Sequence, residues 1–291
     1  VAIFALTLPM TRLATGTVDH PQLSPWFITF ARAALAGGLS VAFLALTRSP
    51  RPTRSQLKPL AWATLGNCLG FPVLLGFALR HVPSGHAAVF TALLPLTTAA
   101  MAAWVLHQRA RLGFWLFAGL GASLVVGFAV IRATQHAQGF ALEWADLALI
   151  GAIISAAIGY VYGAQITPTL GAERVICWVC VLALPVTVPG TLLTWPDTPA
   201  PVSAWLALLY VGVFSMWAGF FAWYRGLAIG GALKVSQVQL VQPFISILAA
   251  VPLLGEPLET MTLGFTLAVV ATVFAGKRFA AGSPSPRAAL T

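Results

Sequence analysis

Apolar stretches of about helix length recur along the whole chain, and short polar segments separate them. A helix needs about 20 predominantly apolar residues to cross the hydrocarbon core of a bilayer. Because the stretches approach this length, we predict that each one is a transmembrane helix. The ten predicted spans cover residues 1–18, 26–46, 60–79, 86–106, 112–131, 147–166, 175–195, 202–224, 232–254 and 260–275.

Two prolines indicate that the chain contains an internal repeat. Pro95 and Pro243 lie 148 positions apart inside apolar stretches, and each is followed 12 or 13 residues later by a polar pair, His107-Gln108 and Gly255-Glu256. At this offset spans three to five align with spans eight to ten, although few identical residues accompany the alignment. Since five spans per half is an odd number, the second half would be inverted in the membrane, as in many secondary transporters.

The predicted fold is an all-α integral membrane protein with ten transmembrane helices in two inverted five-helix repeats. The N-terminal repeat takes residues 1–132 and the C-terminal repeat takes residues 146–280. Residues 133–145 form a periplasmic linker between them, and residues 281–291 form a disordered cytoplasmic tail.

Composition and charge agree with a membrane protein. Hydrophobic residues make up 59% of the chain and charged residues 8%, against roughly 25% charged residues in ordinary soluble domains. The net charge of +9 does not indicate a nucleic-acid partner, because the basic residues are scattered between spans without interleaved aromatic residues.

The positions of the basic residues predict the topology. If the N-terminus is cytoplasmic, only Arg80 and Arg132 fall in outside loops. Positive charge concentrates on the inside of membrane proteins, so this bias predicts a multi-pass protein of the bacterial inner membrane with both termini in the cytoplasm. The inside loops and tail hold Arg48, Arg51, Arg54, Lys58, Arg109, Arg111, Arg174, Arg225, Lys277, Arg278 and Arg287.

The cysteines suggest no cofactor. Cys177 and Cys180 form a C-x-x-C motif on span seven, where a zinc site would need further ligands that the neighbouring sequence lacks. We predict that these two residues and Cys68 pack as small apolar side chains. No metal and no cofactor are expected.

Two sequence runs resemble a known family. Residues 82–111, VPSGHAAVFTALLPLTTAAMAAWVLHQRAR, and residues 230–259, GGALKVSQVQLVQPFISILAAVPLLGEPLE, resemble the fourth and ninth helices of EamA-type members of the drug/metabolite transporter (DMT) superfamily. Arg32 in FARAALAGG matches an arginine common in the family's second helix. His107-Gln108 departs from the pattern, since the family usually has Gly-Glu there. The resemblance implies a ten-helix exporter of small metabolites with cytoplasmic termini, most similar to the YddG-type amino-acid exporters.

Span nine carries a polar face. At 3.6 residues per turn, Gln239, Gln242 and Ser246 lie within about 60° of one another. Amide and hydroxyl groups in lipid need partners, so this face should point into the protein or a wet cavity. At the 148-residue offset the corresponding residues of span four are Thr91, Leu94 and Thr98.

The two prolines lie beside these polar residues. Each should displace the carbonyl four residues earlier, that of Thr91 or Gln239. We therefore predict a midplane substrate site between spans four and nine, where amides and free carbonyls bind the ammonium or carboxylate of an amino acid. The alternative is that the polar residues only join neighbouring helices and that the prolines only kink them.

Aromatic residues extend the candidate site. Tyr160 on span six and Trp217 on span eight lie deep in their spans, and we predict that they contact the substrate. Trp223 and Tyr224 lie near a predicted cytoplasmic end, where we expect interface anchors.

Charged residues give weaker indications. His86 and Lys234 begin spans four and nine, and each could line a mouth of the path, although Lys234 could equally extend to the interface. We expect Arg12 to reach the interface, with carboxylate binding as the alternative, and Arg32 to make a structural pairing. No predicted span has a buried acid, so a proton-coupled mechanism would use His86 or the substrate, and facilitated export is the simpler expectation.

The sequence therefore predicts a transporter that exports neutral or aromatic amino acids with broad specificity, by alternating access around a mostly apolar cavity. Its partners would be amino-acid substrates and membrane lipids, with no nucleic acid, and the protein would be a monomer. A nucleotide-sugar or other small-metabolite or drug carrier is the alternative within transport, and the nucleotide-sugar form would need basic groups at the midplane. A membrane transferase is less favoured, because the chain lacks clustered carboxylates. We expect no enzymatic activity.

Overall fold

The fold is helical throughout the part of the chain that the structure describes, which is residues 1–105, 112–135, 144–230 and 237–279 of a computed structural model. Over these ranges the β-type pairing is limited to an isolated bridge between Gly16 and Pro21. The prediction of an all-helical protein is therefore confirmed. His107-Gln108, Lys234, the predicted tail and most of the predicted linker lie outside the described residues.

Each predicted span coincides with a helix over most of its described residues. Six helices are long and apolar enough to cross a membrane, namely α2, α3, α4, α6, α7 and α8, while the apolar parts described for α1, α5, α9 and α10 are shorter. Ten membrane crossings in two inverted repeats remain a prediction. The bounds are α1 Ala2–Thr15, α2 Pro25–Leu46, α3 Arg54–His81, α4 Ser84–Val105, α5 Leu112–Gln135, α6 Trp144–Leu170, α7 Ala172–Leu193, α8 Val202–Leu227, α9 Gln239–Leu254 and α10 Thr260–Gly276.

The two prolines mark breaks in α4 and α9. In α4 one helical piece ends at Thr91 and the next begins at Leu94, with Pro95 as its second residue. In α9 a 3-10 turn precedes the helix that begins at Gln242, with Pro243 as its second residue. Proline fits the first turn of a helix because the N–H groups there have no partner within the helix. Each proline therefore begins a new helical piece.

Two π-helical segments interrupt α3 and α8, at Leu65–Gly70 and Val211–Ala218. Such segments widen the helix locally and occur frequently at functional sites. Asn67 and Ser215, one from each segment, lie 148 positions apart, the same separation as Pro95 and Pro243.

Glycines bring α3 and α6 into backbone contact. A β-carbon at Gly66 would collide with the Ser155 carbonyl oxygen, and one at Gly159 would collide with the Asn67 side chain. Small residues allow transmembrane helices to approach this closely. The contact fixes the position of Asn67 relative to Tyr160, one residue after Gly159 in α6.

Candidate functional site

A small cavity lies where seven helices meet, and its volume of about 20 Å³ is room for about one water molecule. Most of its wall area is apolar, although seven of the fourteen lining residues carry a polar group, and these come from helices of both predicted halves. The lining residues are Phe4, Thr7 and Leu8 of α1, Arg32 of α2, Asn67 and Phe71 of α3, Thr91 and Leu94 of α4, Ala156 and Tyr160 of α6, Ser215, Met216 and Phe220 of α8, and Gln242 of α9.

Arg32 is the charged group of this cavity. The residue is only 2% exposed, and its Nη2 atom donates a long hydrogen bond of 3.4 Å to the Ser215 hydroxyl. Its Nε and Nη1 atoms have no hydrogen-bond partner among the described residues. A buried charge without a counterion costs several kcal/mol. The predicted structural pairing of Arg32 is thus incomplete, and the free donors suit an anion in the cavity.

Three further polar residues, Thr7, Asn67 and Ser215, line the cavity with Arg32, and the sequence analysis singled out none of them. The Ser215 and Thr7 hydroxyls lie 2.7 Å apart. Asn67 donates a 3.1 Å hydrogen bond to the Tyr224 hydroxyl, which donates in turn to the Gly159 carbonyl at 3.1 Å. The only sequence signal for Asn67 and Ser215 is their 148-residue separation, because the π-helical segments that place them have no clear sequence pattern.

Gln242 is the predicted span-nine residue that lines the cavity. Its amide nitrogen donates to the Phe4 carbonyl over 3.5 Å, while its Oε1 atom accepts no hydrogen bond from any described residue. Gln239 is 3% exposed and lies beside the Tyr160 hydroxyl, and neither of its amide atoms is in hydrogen-bond geometry. Ser246 instead donates to the Ala5 carbonyl at 2.6 Å, which ties α9 to α1.

The corresponding residues of α4 are less polar. Thr91 lines the cavity, and its hydroxyl donates to the Ala88 carbonyl at 3.1 Å. Leu94 also lines the cavity, whereas Thr98 is buried, with a hydroxyl that has no described partner. The structure therefore brings Thr91 and Gln242 to one cavity, and Thr98 and Ser246 lie outside its lining.

Aromatic rings form one wall. Tyr160 lies 5.9 Å from Phe220 and 5.7 Å from Trp223, measured between ring centroids, and Phe4 packs 5.2 Å from Phe220. Trp217, the other aromatic candidate, packs against Phe221 at 4.8 Å and is not a lining residue.

Trp223 and Tyr224 are not the interface anchors that the sequence predicts. Trp223 is 5% exposed and Tyr224 is fully buried. Their distance from the helix end predicts an interface position, but the burial of a residue depends on which face of α8 packs against its neighbours. The fully buried Tyr224 hydroxyl joins α8 to α3 and α6 through its hydrogen bonds.

A second polar cluster lies at the end of the bundle where α1 and α9 finish and α4 begins. Arg12 donates to the Leu79 carbonyl and, at 2.7 Å, to the Val82 carbonyl, and its Nε atom lies 3.7 Å from Glu256. Arg12 therefore makes its contacts inside the protein and does not reach the membrane interface as predicted.

Glu256, the acid of the LLGEP run, caps the N-terminus of α4. It accepts hydrogen bonds from the Ser84 backbone N–H at 2.9 Å, the Ser84 hydroxyl at 2.7 Å and the Gly85 N–H at 3.2 Å. A carboxylate at this position satisfies unpaired N–H groups and interacts favourably with the helix dipole.

His86 does not line the cavity but pairs with Asp146. The His86 Nε2 atom lies 2.7 Å from the Asp146 Oδ1 atom, with side-chain exposures of 7% and 3%. The expectation that no span holds a buried acid is wrong for Asp146, because α6 begins at Trp144 and not at residue 147. Acidic residues are common in the first turn of a helix, so Asp146 is itself a signal that this helix starts before residue 147.

Comparison with known proteins gives the family. The sequence profile of the EamA-like transporter family matches residues 1–131 and again residues 143–275. The chain is 39% identical to the uncharacterized transporter YdeK of Bacillus subtilis over 96% of this chain and 95% of that protein. It is 26% identical to a protein of Streptantibioticus cattleyicolor named "Probable terminal-alkyne amino-acid exporter", over 96% and 91% of the two chains.

A further relative and a solved structure agree. The inner membrane transporter YedA of Escherichia coli strain K12 is 29% identical over 87% of this chain and 82% of its own. One crystal structure shares the fold with a TM-score of 0.63 at 20% identity, covering 96% of both chains. The apolar helices and the two profile matches thus lead to one conclusion: the chain belongs to the EamA-like transporter family of the drug/metabolite transporter type, and it is a membrane transporter, not an enzyme.

Proposed function

We propose that the protein exports neutral amino acids, aromatic ones in particular, with broad specificity and by alternating access. One observation carries this proposal: two donor nitrogens of Arg32 and the acceptor oxygen of Gln242, all without a partner among the described residues, belong to side chains that line the same cavity. An amino acid is a zwitterion whose carboxylate needs donors and whose ammonium needs acceptors. The cavity offers both kinds of group.

Each of these groups binds a different part of the amino acid. The Arg32 guanidinium takes the carboxylate, for which its planar fork of N–H donors is well suited. The Gln242 carbonyl oxygen accepts from the ammonium. The rings of Tyr160 and Phe220 add cation–π attraction and pack against the substrate side chain. Since few polar groups contact that side chain, many neutral substrates would fit.

The relative named as an amino-acid exporter supports this assignment over almost its whole length, although at only 26% identity. Its name gives a terminal-alkyne amino acid as substrate, and an alkyne is an apolar group, which agrees with a cavity whose wall area is mostly apolar.

For the architecture we propose ten transmembrane helices in two inverted repeats. Support comes from the two matches to one family profile and from the paired π-helical segments and proline breaks at the same 148-residue separation. Two contacts also support this arrangement. Gln56, before predicted span three, donates to Thr169, after predicted span six, at 3.0 Å, and Glu256 contacts Ser84 at the opposite end.

The charge bias then gives the orientation. The Gln56 end carries the basic loops and faces the cytoplasm with both termini, and the Glu256 end faces the periplasm. Reporter fusions after Arg54 and after Asp197 should lie on opposite sides of the inner membrane. Both reporters on one side would contradict the ten-span arrangement.

Transport requires the cavity to expand. Its 20 Å³ is far below the several hundred Å³ of ordinary ligand sites. Phenylalanine therefore binds only after the two halves separate at one end, and release follows when they separate at the other.

The proposal is tested with purified protein in liposomes. Counterflow of radiolabelled phenylalanine, methionine and threonine should exceed that of protein-free vesicles. Unlabelled phenylalanine should compete, whereas phenethylamine, which lacks the carboxylate, and 3-phenylpropionate, which lacks the ammonium, should compete at least about tenfold more weakly. No flux of any amino acid across a broad panel would overturn the amino-acid assignment.

A carrier of nucleotide sugars or other phosphorylated metabolites is the second candidate, because Arg32 provides the basic group at the centre that such substrates need. Arg32 is the sole cation among the described lining residues, and one positive charge matches one carboxylate better than a doubly charged phosphate. Counterflow of sugar phosphates or nucleotide sugars in the same vesicles, without amino-acid flux, would favour this candidate.

A further inference from the structure

We infer that Asn67 is a second binding residue for the substrate ammonium and that the Tyr224 hydroxyl positions its amide. The inference rests on the proposed function, because it concerns the same central cavity and the same amino-acid substrate. It adds an acceptor from the first predicted half to the Gln242 carbonyl oxygen of the second. It also gives a role to Tyr224, which is not among the described lining residues.

Asn67 reaches the cavity from a π-helical segment of α3. The segment covers Leu65–Gly70, and Asn67, only 3% exposed, lines the cavity. Gly159 of α6 lies directly against the amide, since a β-carbon at Gly159 would collide with the amide oxygen Oδ1. The glycine therefore leaves the space in which the amide group lies.

The hydrogen bonds of Tyr224 determine which way this amide points. A phenolic hydroxyl has one proton to donate, and a backbone carbonyl can only accept. The Tyr224 hydroxyl donates its proton to the Gly159 carbonyl at 3.1 Å, so it must accept from Asn67. Its partner is accordingly the amide nitrogen Nδ2, at 3.1 Å. With the nitrogen held at Tyr224, the amide oxygen remains for another partner.

The Asn67 Oδ1 atom has no such partner within the described part of the chain. The fully buried polar atoms that lack a partner belong to other residues, so this oxygen keeps accessible surface at a residue that lines the cavity. An acceptor that is away from bulk water and makes no hydrogen bond costs free energy. A hydrogen bond from the substrate ammonium would offset that cost.

The two amides complement Arg32. Arg32 has donors and Gln242 has an acceptor without a described partner, and Asn67 adds a second acceptor. An ammonium has three N–H donors, so two acceptors bind it better than one. Because neither amide is charged, neither forms an ion pair with Arg32 in place of the substrate carboxylate.

The test measures how three competitors displace radiolabelled phenylalanine from the purified protein. Phenylalanine has both charged groups, phenethylamine has only the ammonium and 3-phenylpropionate has only the carboxylate. Asn67→Ala should raise the inhibition constants of phenylalanine and phenethylamine about tenfold and leave that of 3-phenylpropionate unchanged. Arg32→Met should weaken phenylalanine and 3-phenylpropionate but not phenethylamine.

Tyr224→Phe tests the positioning role, because it removes the hydroxyl that orients the amide and keeps the ring. Phenylalanine and phenethylamine should each bind about threefold more weakly, a partial loss since the amide can still turn towards the substrate, and 3-phenylpropionate should bind as to wild type. Tyr210→Phe is the matched control on the same helix. The Tyr210 hydroxyl also donates to a backbone carbonyl, that of Ile3 at 3.1 Å, so this change should leave all three constants unaltered.

The outcomes separate this inference from the proposed function. If wild-type protein prefers phenylalanine to both partial analogues and Asn67→Ala keeps the whole preference, the inference is overturned while the amino-acid assignment stands. Equal weakening of all three competitors by Asn67→Ala would show a structural role and would overturn it as well. If Asn67→Ala does not fold, the selective pattern with Tyr224→Phe, or its absence, decides. No binding of any amino acid by wild type would overturn both proposals.

Discussion

Two arginines of this protein are both largely buried, yet their surroundings differ. Arg12, at the Glu256 end, donates to two backbone carbonyls and lies 3.7 Å from a carboxylate. Arg32, in the central cavity, has one long hydrogen bond to a hydroxyl and two nitrogen atoms without a described partner.

The difference distinguishes Arg12, a structural cation, from Arg32, which we propose binds the substrate. Burial of a charge is tolerated where fixed groups of the protein compensate it, as they do for Arg12. The described residues do not provide this compensation for Arg32, so we propose that a mobile anion joins it during the transport cycle. Arg32 also lies in a cavity whose wall includes residues from both predicted halves.

The largest expected effect is on transport by Arg32→Met. Loss of charge-assisted hydrogen bonds to the substrate carboxylate costs about 1.5–3 kcal/mol, so phenylalanine counterflow should fall about 10- to 100-fold. The free energy of unfolding should not decrease, because an uncompensated charge is removed. Arg32→Lys keeps the charge and should retain more activity. Normal counterflow by Arg32→Met would remove the distinction between the two arginines.

Arg12→Met should mainly reduce stability. It leaves Glu256 without its cation and two carbonyls without a donor, a loss of about 2 kcal/mol. Thermal unfolding followed by tryptophan fluorescence in detergent should give a lower Tm than for wild type, while Arg32→Met should not. If Arg12→Met unfolds at the wild-type temperature, the contacts of Arg12 do not stabilise the fold.

Gln242→Leu should slow phenylalanine counterflow by about tenfold, because one hydrogen bond to the substrate ammonium is lost. Leu248→Ala on the same helix is the matched control, since Leu248 is 59% exposed at the outer surface of the bundle. Equal rates for the two variants would show that Gln242 does not bind substrate.

The smallest effect is expected for a third arginine. Arg225 lies 3.6 Å from Glu173, but its side chain is 69% exposed. Exposed ion pairs contribute at most about 1 kcal/mol and are weakened by salt. Arg225→Gln should leave both the Tm and counterflow within experimental error of wild type. A large loss would indicate that exposure does not separate these arginines in the way proposed here.

Part of the candidate site could be predicted from the sequence. The helical period placed Gln242 on a polar face of α9, and the repeat offset related it to α4, where Thr91 and Leu94 do line the cavity. The depth of Tyr160 in span six predicts its place at the site, and the residue does line the cavity. Ser246 has the same period but contacts the Ala5 carbonyl, because periodicity gives a face of a helix and not the neighbour of each residue.

The missed residues depend on features that periodicity does not describe. Asn67 and Ser215 lie in π-helical segments, where the angle per residue differs from that of an α-helix, so a 100° projection misplaces them. The apolar pattern starts span six at residue 147 and so leaves Asp146 just outside it. The helix begins earlier, at Trp144, and His86 provides a partner for the Asp146 carboxylate.

The sequence by itself determined a helical membrane protein, the approximate position of each helix and the family, because the bilayer requires long apolar segments and each of these can be recognised locally. The tertiary structure decided which polar residues meet. The contact of Arg12 with Glu256, the contact of His86 with Asp146 and the lack of a counterion for Arg32 among the described residues all depend on residues far apart in the chain. Such contacts follow from how the helices pack, and no local pattern contains that information.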